Sequence, residues 1–188
     1  RQFLWIPVVY LASIIPSLLA GRPFFDLLTI YLRQAEGRRL TMEAPNFYQW
    51  FPNADRYFAF LNPAGIAFAT SVVLVLFFAV YRGLKGKAIG RRTLVQVSLL
   101  SALVVPFFLP QMHERYFFLA DVLSIVYAFY RPQHFFVTIV VILSSLFSYF
   151  PFLFRATFVE LPYVTVMMFA VVVFVAYDVL IKIHRAES

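Results

Sequence analysis

Cysteine is absent, which removes disulfides, a thiolate nucleophile and any Cys-based metal site. No Asn-x-Ser/Thr sequon occurs, and only six glycines are present. There is no Walker loop, no glycine-rich dinucleotide turn, no Gly-x-Ser-x-Gly elbow and no zinc-ligand spacing, so soluble nucleotide chemistry has no support. Charge is scarce too: 13% of residues carry one, against about a quarter in soluble chains.

Apolar residues fill the space that charge leaves. They make up 62% of the 188 positions, 24 of them Phe. The mean hydropathy is +0.81. No water-soluble domain of this size could cover so much apolar surface. Six apolar runs lie at 3–20, 63–81, 93–109, 116–130, 135–154 and 161–183. Each is near the roughly 20 residues that cross about 30 Å of hydrocarbon. Inside lipid every backbone amide needs an internal partner, so the expectation is helices. The fold class is thus an all-α membrane protein, with about six transmembrane helices in a single domain over 1–188. A chain that opens on Arg1 rather than Met, with no cleavable signal pattern, is expected to be part of a longer protein.

The net charge of +7 does not point to nucleic acid, because the charges gather in short loops between apolar runs. The 82–92 loop holds Arg82, Lys85, Lys87, Arg91 and Arg92 and no acid, which places it in the cytoplasm. Threading from there puts Arg131 and the Lys182/Arg185 tail inside, and the 110–115 and 155–160 loops outside. The long 21–62 connection mixes both signs and is expected outside. Within it Phe24, Leu28, Tyr31 and Leu32 follow helical spacing, which reads as an amphipathic helix lying in the interface. The aromatic stretch 44–52, bounded by prolines, reads as a lipid-facing or acceptor-facing loop rather than a span.

The densest polar cluster is Pro110-Gln-Met-His-Glu-Arg-Tyr116, at the outer turn between two spans. His113, Glu114 and Arg115 offer an acid/base group, a carboxylate and a permanent cation in consecutive positions, a set suited to gripping a phosphate diester. A plain solvated turn is an equally simple reading of the same three charges. Asp121 lies seven residues on, about two turns deeper on nearly the same face. A carboxylate at that depth is costly unless paired or hydrated, which makes it a functional candidate. The structural alternative is a hydrogen bond to Gln96 or Ser98. Asp178 is expected to pair with Lys182 at i+4, His134 and His184 to be interfacial, and Arg155 with Glu160 to flank an outer loop that could face His113.

At Leu109-Pro-Gln-Met-His-Glu-Arg-Tyr116 the chain resembles bacterial and archaeal integral-membrane mannosyltransferases related to the second mannosyltransferase of GPI-anchor synthesis. These are GT-C-type glycosyltransferases, whose segment reads Pro-x-Met-His-Glu-Arg-Tyr. The stretch from Gly21 to Gln34, with Leu40-Thr and Ala44-Pro-Asn46, is similar to the outer loop that precedes that segment. The resemblance implies transfer of a hexose, mannose by analogy, from a polyprenyl-phosphate-linked donor to an acceptor on the extracytoplasmic face. It implies that His113, Glu114, Arg115 and Tyr116 contact the donor, with Arg22, Arg33 or Arg38 assisting and Phe117 and Phe118 lining a groove for the prenyl tail. The family's general base lies in an earlier loop, so this chain would be the C-terminal part of such an enzyme, with catalytic residues elsewhere. No cofactor is implied, although a carboxylate and a phosphate can share a divalent cation. Two other classes fit the composition. One is half of a transporter or flippase using Asp121 and Glu114, to which Pro16 and Pro106 lend the look of broken helices. The other is a non-catalytic membrane subunit.

Overall fold

A computed structural model describes residues 5–29, 39–51 and 54–185, with side chains over the same ranges except at 6, 54 and 182–185. Two compact units divide the chain, 1–38 and 39–188. In the first, α1 (Trp5–Leu19) carries Pro16 without a break. It closes on Gly21, whose φ of +87° lets the Arg22 amide reach back to the Ser17 carbonyl at 3.1 Å. That left-handed turn is one a glycine accepts at no steric cost. The short helix α2 (Phe24–Leu28) follows, tied to α1 by the Tyr10 hydroxyl donating to the Leu27 carbonyl at 2.9 Å. Of the expected amphipathic helix, Phe24 and Leu28 lie in α2, while Tyr31 and Leu32 fall outside the described residues.

The second unit holds strand β1 (Thr41–Met42), helices α3 (Phe58–Leu84) and α4 (Arg91–Phe108), strand β2 (Met112–His113), and helices α5 (Phe118–Tyr130), α6 (Phe135–Phe154) and α7 (Leu161–Arg185). Each apolar run of the sequence is a helix. Four helical stretches, at 55–84, 91–108, 132–154 and 161–181, are long and apolar enough to cross a membrane. The two others fall short: α1 has 15 residues and α5 has 13. At 1.5 Å per residue α5 spans only about 20 Å. A 3-10 turn over Glu114–Phe117 extends α5 at its start.

Helix α4 sits against α3, α5 and α7, and α6 closes the bundle between α5 and α7. The core they share runs through Leu99, Leu103 and Phe107 of α4, Phe117 and Tyr127 beside and within α5, Val137 and Val141 of α6, and Met168 and Val175 of α7, all essentially inaccessible. The outward surfaces are apolar as well. Phe77, Phe78, Phe129 and Phe152 are each more than half exposed. An apolar exterior around an apolar core is what a lipid-embedded bundle requires.

The 40–51 segment crosses one end of this bundle and is no span, as expected. Part of it packs into the bundle end, while Phe51 is half exposed. Ala44 and Asn46 are fully buried, and Trp50 donates from Nε1 to the Pro162 carbonyl at 3.1 Å while packing on Phe107 and Phe169. The aromatic side chains find more contact inside the bundle end than a surface loop would give them. Pro16 and Pro106 leave α1 and α4 continuous, so the described helices lack the discontinuity that the transporter reading anticipated.

Candidate functional site

Helix α4 stops at Leu109, and the chain turns through a buried Pro110 into Gln111, whose φ is +62°. Gln111 donates its amide to the Leu40 carbonyl at 2.8 Å. From there Met112 and His113 pair in parallel with Thr41 and Met42, and Glu43 bridges to His113. Glu43 is itself at φ +62°. Two non-glycine residues in the left-handed region cost roughly 1 kcal/mol each, and such strain collects where geometry serves function. Leu40 and Phe117, which flank the paired segments along the chain, are both buried, and Asp55 Oδ1 accepts from the Leu40 amide at 2.7 Å.

This frame presents the four consecutive residues singled out in the sequence. His113 is half-buried, with Nδ1 3.8 Å from Glu114 Oε2 and its ring 5.8 Å from that of Tyr116. Arg115 is exposed, its guanidinium 5.9 Å from the Tyr116 ring centre, and it has no carboxylate partner among the described residues. A cation left unpaired beside aromatic surface is ready for an anion. Tyr149 of α6 stands within electrostatic range of Glu114, Arg115 and Asp121 together. Tyr149 is thus a neighbour of both the turn and the deeper aspartate that the sequence did not reveal. Glu43 is another. Its sequence neighbours gave no sign, because only the strand pairing across about seventy residues brings it to His113.

Asp121 does not bond Gln96 or Ser98. Its partly buried carboxylate lies beside the buried Ser145 hydroxyl of α6. Arg155 and Glu160 lie in the exposed α6–α7 connection, with no ion pair to His113 among the described residues. Arg22 belongs to the other unit, and Arg33 and Arg38 fall outside the described residues.

Beside the turn a groove of about 710 Å3 runs between α4 and α5. Its α4 wall is carved by the small residues Ser98, Ser101 and Ala102, spaced i, i+3, i+4, with Val105 and Leu109 above them. Leu119 and Leu123 form the opposite wall, and Met112 and Tyr116 stand at the turn end. The lining is almost wholly apolar. Neither Phe117 nor Phe118 belongs to it: Phe117 is locked in the core and Phe118 points outward. The helical phase decides this, since 116, 119 and 123 share one face while 117 and 118 are turned off it.

The opposite end of the bundle holds a second polar cluster. Asp178 of α7 accepts from Gln96 Nε2 at 2.8 Å, from the Tyr127 hydroxyl at 3.2 Å and from Arg131 at 3.1 Å. Arg131 also donates to His134 Nε2 at 3.1 Å, and guanidinium has no acceptor, so the imidazole proton sits on Nδ1. That proton goes to the Tyr127 oxygen at 2.6 Å, leaving the tyrosine O–H for Asp178. Asp178 thus draws its partners from three other parts of the bundle; the Lys182 side chain lies outside the described residues. His134 is partly buried and joins this network through Tyr127 and Arg131.

No group of three or more His, Asp or Glu side chains suited to a metal occurs among the described residues. Comparison with protein-family models, curated proteins and solved structures finds no match to the chain.

Proposed function

We propose that this chain is part of a membrane glycosyltransferase that moves a hexose, mannose by resemblance, from a polyprenyl-phosphate-linked donor to an acceptor outside the cytoplasm. The observation that carries the reading is the unpaired Arg115 beside Tyr116, at the end of an apolar groove between two helices. A prenyl tail is a long apolar chain, and a slot lined by alanine, valine, leucine and proline suits it at about 25 cal/mol per Å2 buried. The phosphate at its head carries negative charge that grows as the glycosidic bond breaks. A fixed cation at that point stabilises the transition state more than the ground state. His113 and Glu114 supply a proton-handling pair next to it.

In this reading all six apolar helices cross the membrane, the short α1 and α5 among them. The 82–92 loop lies in the cytoplasm and the 110–115 turn outside, and charge distribution is what supports that orientation. The general base comes from a part of the enzyme beyond this chain.

The test is sugar transfer by the complete enzyme in membranes, using radiolabelled polyprenyl-phosphate-mannose. Arg115→Ala should lower turnover by roughly a hundredfold or more while leaving the protein folded, the scale seen when one charge-stabilising donor is removed. Normal turnover in that variant would overturn the role of Arg115. A transporter reading is favoured by one observation, the uncompensated Asp121; pH-coupled uptake lost in Asp121→Asn, with no sugar transfer, would establish it instead.

A further inference from the structure

The longest acid-free run of positive charge lies at the other end of α4 from the Arg115 turn. The α3–α4 connection carries Arg82, Lys85, Lys87, Arg91 and Arg92, and all but Lys87 are exposed. Arg82, Lys85, Arg91 and Arg92 form no ion pair among the described residues. Arg92 donates to a neutral acceptor, the Tyr130 carbonyl, at 3.1 Å. Like charges gathered this way repel one another, and an anion among them relieves the repulsion.

Beside this loop a narrow groove of about 140 Å3 opens between α3 and α4. Val73, Phe77 and Val80 line one wall, and Val97, Leu100 and Val104 the other. The near end of the groove is thus two residues from Arg82 on α3 and five from Arg92 on α4. Ser101 brings the one hydroxyl of the lining, and it already donates to the Val97 carbonyl at 2.9 Å. Nothing in the groove calls for a polar occupant. Aromatic rings mark the boundary between groove and loop. Phe77 stacks on Tyr81 with ring centres 6.3 Å apart, and the Arg82 guanidinium lies 5.8 Å from the Phe78 ring centre. Tyrosine and arginine beside exposed phenylalanine settle at the level of lipid headgroups, with their apolar parts towards the acyl chains.

We infer that the α3–α4 loop and groove bind an anionic phospholipid, its phosphate among Arg82, Lys85 and Arg91 and one acyl chain between the two helices. Charge and groove together call for both parts in one molecule. A free phosphate would leave the groove unfilled. A zwitterionic lipid brings a cation of its own into a loop already crowded with them. An acidic protein segment would carry polar backbone into the groove at membrane depth, where no water satisfies it. The site is separate from the Arg115 turn and stands whether or not the chain transfers sugar.

The experiment is thermal unfolding of the complete protein in detergent with phosphatidylglycerol or phosphatidylcholine added, alongside native mass spectrometry to count retained lipid. Phosphatidylglycerol should raise Tm saturably, as ligand linkage requires, and phosphatidylcholine should not. Lys85→Gln combined with Arg91→Gln should raise the half-saturating lipid concentration by about tenfold or more, the scale of two cations lost near an anionic headgroup. Val97→Phe fills the groove and keeps every charge, and it should weaken lipid retention as well. Arg155→Gln, a charge removed from the exposed α6–α7 connection, should bind like the wild type. Retention of phosphatidylglycerol but not phosphatidylcholine by the wild type keeps the test decisive if Val97→Phe fails to fold. Equal stabilisation by phosphatidylcholine, the same gain from inorganic phosphate alone, no loss in the double variant, or an equal loss in Arg155→Gln would each overturn the site.

Discussion

Asp178 and Asp121 are both carboxylates set in apolar helices, near opposite ends of the same bundle, and their surroundings differ in nearly every respect. Around Asp178 every contact is reciprocal: an amide, a phenol and a guanidinium converge on its two oxygens, and an imidazole relays between two of them. Among the atoms of that cluster only Arg131 Nε is buried without a partner. Around Asp121 the polar company is sparse: Ser145 of α6 stands beside the carboxylate, and the cation nearby, Arg115, faces outward. A satisfied network fixes helices in one arrangement, whereas a carboxylate with few partners does less to hold its helix to the neighbours. The lesson is that two acids carried by apolar helices can be assigned different roles by their partners and exposure.

The sharpest way to break the contrast is to remove the cation from each end. Arg131→Ala strands the Asp178 charge in a site where both side chains are about nine-tenths buried, 12% and 9% exposed. Loss of one partner from a buried pair costs about 3 kcal/mol or more. Thermal or denaturant unfolding in detergent should therefore show a large loss for Arg131→Ala. Arg115→Ala, exposed and unpaired, should leave unfolding within about 0.5 kcal/mol of wild type. Equal destabilisation by both would mean that the Arg115 end is also structural.

A smaller effect probes the scaffold of the Arg115 end. Gly65 of α3 is buried because the Tyr48 hydroxyl occupies the space where a Cβ would stand, with Pro110 close behind. Tyr48 is held there by its bond to the Phe108 carbonyl at 3.0 Å. Gly65→Ala should cost about 2 kcal/mol, an overpacking penalty that exceeds the helix-propensity gain of roughly 1 kcal/mol. Unfolding measurements check it, and a stabilised variant would show that Tyr48 moves freely.

The helices were legible because composition alone dictates them: uninterrupted apolar runs such as 161–183 have no other way to bury their amides. The polar turn at 110–116 was legible too, since charges stand out against an apolar background. What stayed hidden is what distant segments do to each other. Gln96 looked like a partner for Asp121 and instead serves Asp178, 82 residues away. Glu43 reaches His113 through a two-residue strand pair too short to leave a pattern. The aromatic run 47–51 gave no clue to its direction, because Phe and Trp suit lipid, interface and core alike.

The finest test of the Arg115 end uses pH. Burial pushes the Tyr48 phenol up from its ordinary value of 10 to about 12. Below pH 10 the hydroxyl is protonated whether the chain is folded or not, and its bond to the Phe108 carbonyl contributes fully. Between pH 10 and 12 the unfolded chain ionises first, so the unfolded state gains and the contribution fades. Tyr48→Phe lacks both the bond and the titration. At neutral pH it should be about 1 kcal/mol less stable than wild type, the usual net worth of one hydrogen bond. Comparing the two proteins cancels every other group that titrates in this range, so the gap should narrow steadily from pH 10 to 12 and then vanish or reverse. A gap constant across that window would mean that the phenol meets solvent, and that the 40–51 segment is not sealed against the bundle end.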